Sequence, residues 1–201
     1  MLVVECRAMD KDMGIKKFIR HPLVIYLLKF AVVFCAAYFG TIAVEGLAMP
    51  GNHYSPFIQN YLDYPSWLRA FLLNGSKLQL SIFGYNTVIT DPYHLQMVGG
   101  SSVQLIYECL GIGVMSFWLA FVVANKGGWL RKSLWVLGGL LCIWLINVSR
   151  ISLVLVGNNS GKNLTWGMDN HDFFNVLSYV ALFGMIFLYD RVERKKLVIK
   201  N

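Results

Sequence analysis

Apolar residues fall into long blocks along this chain, and polar stretches that hold most of the charge separate them. Four blocks are long enough to be membrane spans, since a helix needs about 20 apolar residues to cross a bilayer. These blocks are residues 22–44, 105–124, 133–156 and 171–189. The pattern therefore predicts an all-α polytopic membrane protein with about four transmembrane helices, organised as a single membrane-embedded domain over residues 1–201.

The first apolar block is longer than the core of a signal peptide, which has about 7–15 residues. We therefore interpret residues 22–44 as a retained anchor, and cleavage after the Cys35-Ala-Ala stretch is the alternative. Residues 1–20 are polar and basic, and Met13 is an alternative start to Met1.

The long segment between the first two blocks, residues 46–104, is mixed in character. Within it, residues 67–83 are apolar but contain Arg69 and Lys77 beside several uncharged polar groups. These groups would meet lipid if the segment crossed the bilayer. We therefore predict an interfacial or re-entrant segment, anchored by Trp67.

Short β-branched runs occupy residues 85–107, and Asp-Pro and Gly-Gly pairs interrupt them. Such runs between turn residues are typical of strands joined by tight turns. The pattern predicts a small β-hairpin in the extracytoplasmic loop.

The basic residues indicate an orientation. Residues 1–20, 125–132 and 190–201 carry five, three and five of the 18 lysines and arginines, whereas the loops 46–104 and 157–170 share only three. Because cytoplasmic segments are enriched in lysine and arginine, both termini should be cytoplasmic and both long loops outside. A further full span in the first loop would place the basic tail outside and contradict this rule.

Composition agrees with an integral membrane protein. Of 201 residues, 56% are hydrophobic and only 14% are charged. The net charge of +7 does not predict nucleic-acid binding, because the basic residues cluster beside apolar blocks. No Gly-rich phosphate loop and no cysteine or histidine pair at metal-ligand spacing is present, so we expect neither a cofactor nor a metal.

The third block contains one residue that is costly in a membrane, Arg150, with Asn147 one helical turn before it. An arginine near the centre of a membrane helix costs ~2.5–3.5 kcal/mol on insertion scales. Such a residue faces protein or water, and a functional role is the default interpretation. Asn147 is expected either to hydrogen-bond across helices or to orient Arg150.

The predicted orientation brings three reactive residues to one depth. Cys109 lies about one turn inside the second span, Arg150 lies about 9 Å from the outer end of the third at 1.5 Å per residue, and His171 opens the fourth. A thiolate is a nucleophile that a nearby cation stabilises, and histidine can transfer protons. Arginine can stabilise an oxyanion or bind a carboxylate. The constellation predicts thiol acyl transfer at the outer face.

Each of these residues also has a structural interpretation. Cys109 alone fits a small packing residue equally well, and His171 beside Asp172 fits a helix cap. Other candidates are weaker: Cys6, Cys35 and Cys142 fit packing, Glu108 and Asn175 are supporting candidates at best, and His53 and His94 fit ordinary loop residues.

The order of Cys109 in YECLGIG, Arg150 in NVSRI and His171 at the head of the last block resembles the exosortase/archaeosortase family. Its members are transpeptidase-like cysteine enzymes of prokaryotic membranes. The resemblance covers about residues 83–190 and is closest to the compact members. Leu110 departs from it, because many members have a small residue directly after the cysteine.

The resemblance implies a multi-pass enzyme of the inner (cytoplasmic) membrane that cleaves C-terminal sorting signals of secreted proteins at the outer face of that membrane. Each substrate tail has a short motif, a transmembrane helix and a basic end, and the new carboxyl end passes to an envelope acceptor. Cys109 would be the nucleophile, His171 the acid and base, and Arg150 the stabilising cation, with the site facing the periplasm or exterior. The alternative is a non-enzymatic membrane subunit of a transporter or of an envelope polysaccharide assembly system.

Overall fold

The structure is a computed structural model that describes residues 21–49, 54–160 and 170–199. It is 77% helical with one small three-stranded sheet. The helices are α1 (Pro22–Ala48), α2 (Pro56–Tyr61), α3 (Tyr64–Ile82), α4 (Ile112–Ala124), α5 (Trp129–Ser160) and α6 (Asn170–Ile199).

Among the described residues, two helices are long and apolar enough to cross a membrane, α1 with 27 residues and α5 with 32. Pro22 occupies the first turn of α1, where its missing N–H is not needed, and the His21 side chain accepts a hydrogen bond from the Leu23 N–H. Both helices extend past the predicted spans over residues 22–44 and 133–156. The predicted count of four spans is not confirmed.

Within the predicted span over residues 105–124, the α-helix begins only at Ile112. Tyr107–Leu110 form a 3₁₀ turn, and Gly111 follows in the left-handed conformation with φ 74°. Glycine adopts this conformation at no steric cost, so the chain changes direction there. The apolar run therefore forms a turn and a 13-residue helix about 20 Å long.

The segment expected to be interfacial or re-entrant is a regular helix, α3, which packs along α5. Gln79 Nε2 donates to Ser149 Oγ at 3.2 Å, and Ser152 Oγ donates to Gln79 Oε1 at 2.8 Å. Ser76 Oγ donates to the Val148 carbonyl at 3.4 Å. Two polar side chains of the segment, Ser76 and Gln79, are thus satisfied by a neighbouring helix. The placement of α3 relative to the bilayer stays a prediction.

A buried ion pair joins the C-terminal end of α1 to α3. Arg69 Nη2 lies 2.9 Å from Glu45 Oε1, and the guanidinium carbon lies 4.4 Å from the centroid of the Tyr93 ring. Beside it, the Tyr64 hydroxyl donates to Thr41 Oγ1 at 2.7 Å. These contacts fix the segment that precedes the Cys109 turn.

The predicted β-hairpin is confirmed, and a third strand extends it. Strands β1 (Thr87–Asp91), β2 (His94–Met97) and β3 (Ser102–Gln104) form an antiparallel sheet in the order β1-β2-β3. The turn before β3 is tied to α5, because Asn159 Oδ1 accepts a hydrogen bond from the Ser101 N–H at 2.8 Å.

Two apolar clusters hold the helices together. One surrounds the end of α5 near the sheet and includes fully buried Leu110, the residue after Cys109. The other lies toward the opposite end of α5 and centres on Trp118. The first cluster buries Leu72, Leu73, Leu80, Leu95, Leu105, Leu110, Ile112, Val148, Ile151 and Leu155. Burial of Leu110 fixes the backbone of the turn that carries Cys109.

Candidate functional site

Helices α1, α4, α5 and α6 and the 3₁₀ turn line a cavity of about 820 Å³, which we call the arginine cavity. Its volume lies in the range of roughly 300–1,000 Å³ that is typical of ligand pockets. Most of its lining is apolar, and the polar groups include Tyr107, Glu108, Asn147 and Arg150. An apolar cavity with a few polar groups suits a ligand that is mainly apolar and carries a polar segment.

Arg150 lies on α5 and is 8% exposed. Among the residues that the structure describes, no carboxylate lies within ion-pair distance of its guanidinium. A buried cation is costly unless an anion or hydrogen-bond acceptors compensate it. Arg150 therefore presents positive charge to the cavity and favours a ligand that brings an anion or a polarised oxygen.

Asn147 connects α5 to the turn that holds Cys109. Its Nδ2 donates to the Leu110 carbonyl at 3.2 Å. A Cβ atom at position 111 would lie only 2.3 Å from the same Nδ2, so Gly111 is required for close approach as well as for its positive φ. Of the two roles expected for Asn147, the structure shows the hydrogen bond across helices.

Cys109 lies within the 3₁₀ turn, where its N–H donates to the Ile106 carbonyl at 3.0 Å. The thiol is free and half-buried. Among the described residues that line the arginine cavity, its neighbours Glu108 and Gly111 are present and Cys109 is not. The fold thus places Cys109 in a turn between two residues that line the cavity of Arg150.

His171 is the second residue of α6, as expected for a residue at the head of the last helix. Its side chain, like that of Asn175, lies outside the described residues, as do Cys6 and His53. The structure therefore describes the relation between Cys109 and Arg150 but not that of either residue to the imidazole.

The remaining candidates lie away from this site. Cys35 is exposed on α1, and Cys142 lines a second cavity on α5. His94 begins β2, and its Nδ1 lies 2.8 Å from Asp91 Oδ2. The hydrogen bond from His94, together with one from the Tyr93 N–H, lowers the pKa of Asp91. This pair stabilises the tight turn between β1 and β2.

Sequence reasoning missed the contribution of α1 to the arginine cavity. Phe34, Tyr38 and Ile42 all line it. Their spacing of four residues places them on one face of a helix, so the signal was present in the sequence. It was hidden because the whole of α1 is apolar, and no polar face marked the side that meets protein.

Sequence reasoning also gave little weight to the residues just before Cys109. Glu108 lines the same cavity as Arg150, so the lining includes a carboxyl group as well as a guanidinium. The Tyr107 hydroxyl is buried and has no hydrogen-bond partner among the described atoms. A ligand that supplies a hydrogen-bond partner for this group would remove the cost of leaving it unpaired.

Residues 13–188 match the profile of the transmembrane exosortase family (Exosortase_EpsH). Because the match covers most of the chain, the protein belongs to the exosortase family, whose members are membrane cysteine peptidases and transpeptidases. Comparison with curated proteins and with solved structures gives no match. The resemblance noted from the sequence is confirmed at the level of the family, and with it a sortase-like processing role at a membrane.

Proposed function

We propose that this protein is a cysteine transpeptidase or protease that cleaves C-terminal sorting signals of secreted proteins at the outer face of the cytoplasmic membrane. One observation carries the proposal. The hydrogen bond from Asn147 to the Leu110 carbonyl joins the helix that bears Arg150 to the turn that bears Cys109. The turn that bears the thiol is thereby held next to the cavity that contains the buried cation, an arrangement that thiol acyl transfer can use.

In the proposed reaction, the Cys109 thiolate attacks the carbonyl carbon of the scissile peptide bond. The tetrahedral intermediate collapses, the C–N bond breaks, and His171 gives a proton to the leaving amine. The substrate is then held as a thioester. An envelope acceptor attacks that thioester, and His171 takes up the acceptor's proton. The C–S bond then breaks, which releases the product and regenerates the Cys109 thiolate.

Arg150 is proposed to stabilise the negative charge that develops on the carbonyl oxygen. Its burial supports this role, because a charge–charge interaction is much stronger in a medium of low polarity than in water. The absence of a carboxylate partner among the described residues also supports it, since the guanidinium is not already neutralised. A substrate carboxylate is a second ligand that the same fork of donors would bind.

The arginine cavity is the proposed binding site of the substrate tail. A helix with a diameter of about 10–12 Å would fill 820 Å³ with roughly one and a half turns. The cavity therefore suits the short motif and the first part of the substrate helix, and the remainder of that helix would lie in the bilayer. Aromatic residues of α1, such as Phe34 and Tyr38, supply an apolar wall for it.

The test is removal of the thiol with a matched control in the same protein. Cys109→Ala should remain folded but should abolish processing of a secreted partner that carries a motif, a membrane helix and a basic end. Cys142→Ala, in α5 and outside the arginine cavity, should process the partner normally. Immunoblots of the partner, with size-exclusion profiles of both variants, provide the measurement.

Equal loss in both variants would mean that Cys109 is a packing residue. Full processing by Cys109→Ala would favour the alternative, a non-enzymatic subunit of a transporter or of a polysaccharide assembly system.

A further inference from the structure

A second cavity of about 450 Å³ lies toward the start of α5, which we call the basic-end cavity. Its lining comes from α4, α5 and α6, and Met185 is the residue that it shares with the arginine cavity. Arg131 at this end and Arg150 at the other are separated by about 28 Å along the helix, at 1.5 Å per residue. The basic-end cavity is thus a separate space, and the proposed reaction does not use it.

The lining of the basic-end cavity is apolar except at one edge. Trp118, Leu134 and Leu188 are typical of its walls, and Arg131 is the charged side chain in the described lining. A space of this volume is within the range of ligand pockets. Its walls suit a hydrocarbon chain, and its one charged edge suits an anionic group.

Arg131 is incompletely satisfied by protein. Its Nη2 lies 2.7 Å from Glu193 Oε2, yet Nε and Nη2 are shielded from solvent without a well-aligned hydrogen bond to any described atom. Glu193 has a second partner besides Arg131, because its Oε1 accepts a hydrogen bond from Trp135 Nε1 at 3.3 Å. A guanidinium has five donors, so Arg131 can bind a second anion beside Glu193.

Basic residues and exposed apolar residues lie close to Arg131 in the sequence. Lys126 and Lys132 flank it in sequence, and Lys132 Nζ is itself held by the Val123 carbonyl at 2.7 Å. Trp129 and Leu130, at the start of α5, are 79% and 80% exposed. Exposed aromatic and apolar residues beside basic ones are typical of the boundary between lipid headgroups and hydrocarbon.

We propose that the basic-end cavity binds an anionic phospholipid. Its phosphate contacts the guanidinium of Arg131, and one acyl chain lies between α4, α5 and α6 against Gly138 and Cys142. Charge complementarity selects an anionic headgroup over a zwitterionic one, because basic pockets between membrane helices bind such headgroups. This inference does not depend on the proposed catalytic residues.

The first experiment removes a positive charge in one variant and a negative charge in another, and compares how each variant retains anionic lipid. Full-length protein in nanodiscs of mixed phosphatidylglycerol and phosphatidylcholine is released and examined by native mass spectrometry. The wild type should retain phosphatidylglycerol in preference to phosphatidylcholine. Arg131→Gln should lower that preference roughly fivefold, the effect of one basic residue near an anionic surface. Glu193→Gln should raise it, because the competing carboxylate is gone.

Opposite shifts distinguish a lipid site from a purely structural ion pair, since both variants break the pair. A wild type that retains both lipids equally, or variants that shift in the same direction, would overturn the proposal.

The second experiment fills the cavity. A Cβ added at Gly138 would have no atom within 4 Å, whereas one at Gly139 would meet Trp118 Nε1 at 1.8 Å. Gly138→Leu should therefore fold and exclude the acyl chain, so that phosphatidylglycerol is no longer retained. Gly40→Leu is the control, because position 40 in α1 is equally open and outside the cavity.

An independent measurement uses Cys142, which lines the basic-end cavity. In wild-type protein, phosphatidylglycerol should slow the reaction of Cys142 with an apolar maleimide relative to phosphatidylcholine, as measured on the labelled peptide. Retention of lipid by Gly138→Leu, or labelling of Cys142 that ignores the headgroup, would overturn the placement of the acyl chain.

Discussion

Two buried arginines of this protein have opposite surroundings. Arg69 on α3 is 2% exposed and lies 2.9 Å from the carboxylate of Glu45, with the ring of Tyr93 against its guanidinium. Arg150 on α5 is 8% exposed, and no described carboxylate lies within ion-pair distance of it. Burial alone does not separate the two residues. The difference lies in whether the protein itself supplies the compensating charge.

This contrast distinguishes Arg69, which joins two helices, from Arg150, which is available to bind a ligand. Removing one partner of a buried ion pair leaves an uncompensated charge, which destabilises the fold. Removing a cation without a protein partner leaves no such charge behind. The first arginine should therefore be detected by unfolding measurements and the second by measurements of activity.

The largest expected effect is that of Arg69→Met on stability. The substitution leaves Glu45 buried without its partner, which should cost about 3–5 kcal/mol. Unfolding of the detergent-solubilised protein measures the loss. Adding Glu45→Met should recover most of it, because both charges are then absent. In contrast, Arg150→Met should unfold at or above the wild-type midpoint, and a loss equal to that of Arg69→Met would remove the distinction.

The next effect concerns activity. Arg150→Lys keeps the positive charge but loses the planar fork that holds two oxygens, so processing of the substrate tail should slow by about 10²-fold or more. The matched control is Arg69→Lys, which can preserve the single contact with Glu45 and should process normally. Rates of partner cleavage provide the measurement. Near-normal processing by Arg150→Lys would assign Arg150 a general electrostatic role.

A smaller effect is expected at Asn147. Asn147→Ala removes the hydrogen bond to the Leu110 carbonyl and should cost about 1 kcal/mol in stability. It should also slow processing roughly tenfold, which corresponds to about 1.4 kcal/mol in the barrier. Tyr64→Phe removes the hydrogen bond to Thr41 near Arg69 and should lose similar stability without slowing processing. Equal rates in the two variants would contradict a positioning role for Asn147.

The smallest effect lies in the sheet, where His94 and the Tyr93 N–H lower the pKa of Asp91. A carboxyl whose pKa is lowered by folding stabilises the fold above its ordinary pKa of about 3.9, and this contribution is lost as pH falls through its folded pKa. Asp91→Asn should therefore lower the unfolding midpoint slightly at pH 7, and the difference should shrink below about pH 4. A difference that is independent of pH would exclude this origin.

Apolar length was enough to predict α1, α5 and the head of α6, and the Asp-Pro and Gly-Gly turns were enough to predict β1 and β2. The start of α4 was not predictable from hydropathy, because residues 105–124 are apolar on both sides of Gly111. Only the structure shows that Gly111 adopts the left-handed backbone conformation. The packing of α3 against α5 was not predictable, because the partners of Ser76 and Gln79 on α5 are distant in sequence.

The burial of Arg150 was predictable, whereas the shape of the candidate site was not. Arg150 was found because an arginine in an apolar helix is costly. The cavity beside it was not found, because it depends on how α1, α4, α5 and α6 pack. Arg69, by contrast, had seemed only an interruption of an apolar segment. Its partner Glu45 is 24 residues earlier on another helix, and no local pattern links the two.

The break at Gly111 also changes the electrostatics of the arginine cavity. In a continuous helix, the N–H groups of Ile112, Gly113 and Val114 would be bonded to carbonyls one turn earlier. Because α4 begins at Ile112 and its first intrahelical bond is from Met115 to Gly111, these three donors have no intrahelical acceptor, and no side chain caps them. All three residues line the cavity. The positive end of the α4 macrodipole therefore meets the same space as Arg150, and backbone amides and guanidinium together favour negative charge beside Cys109.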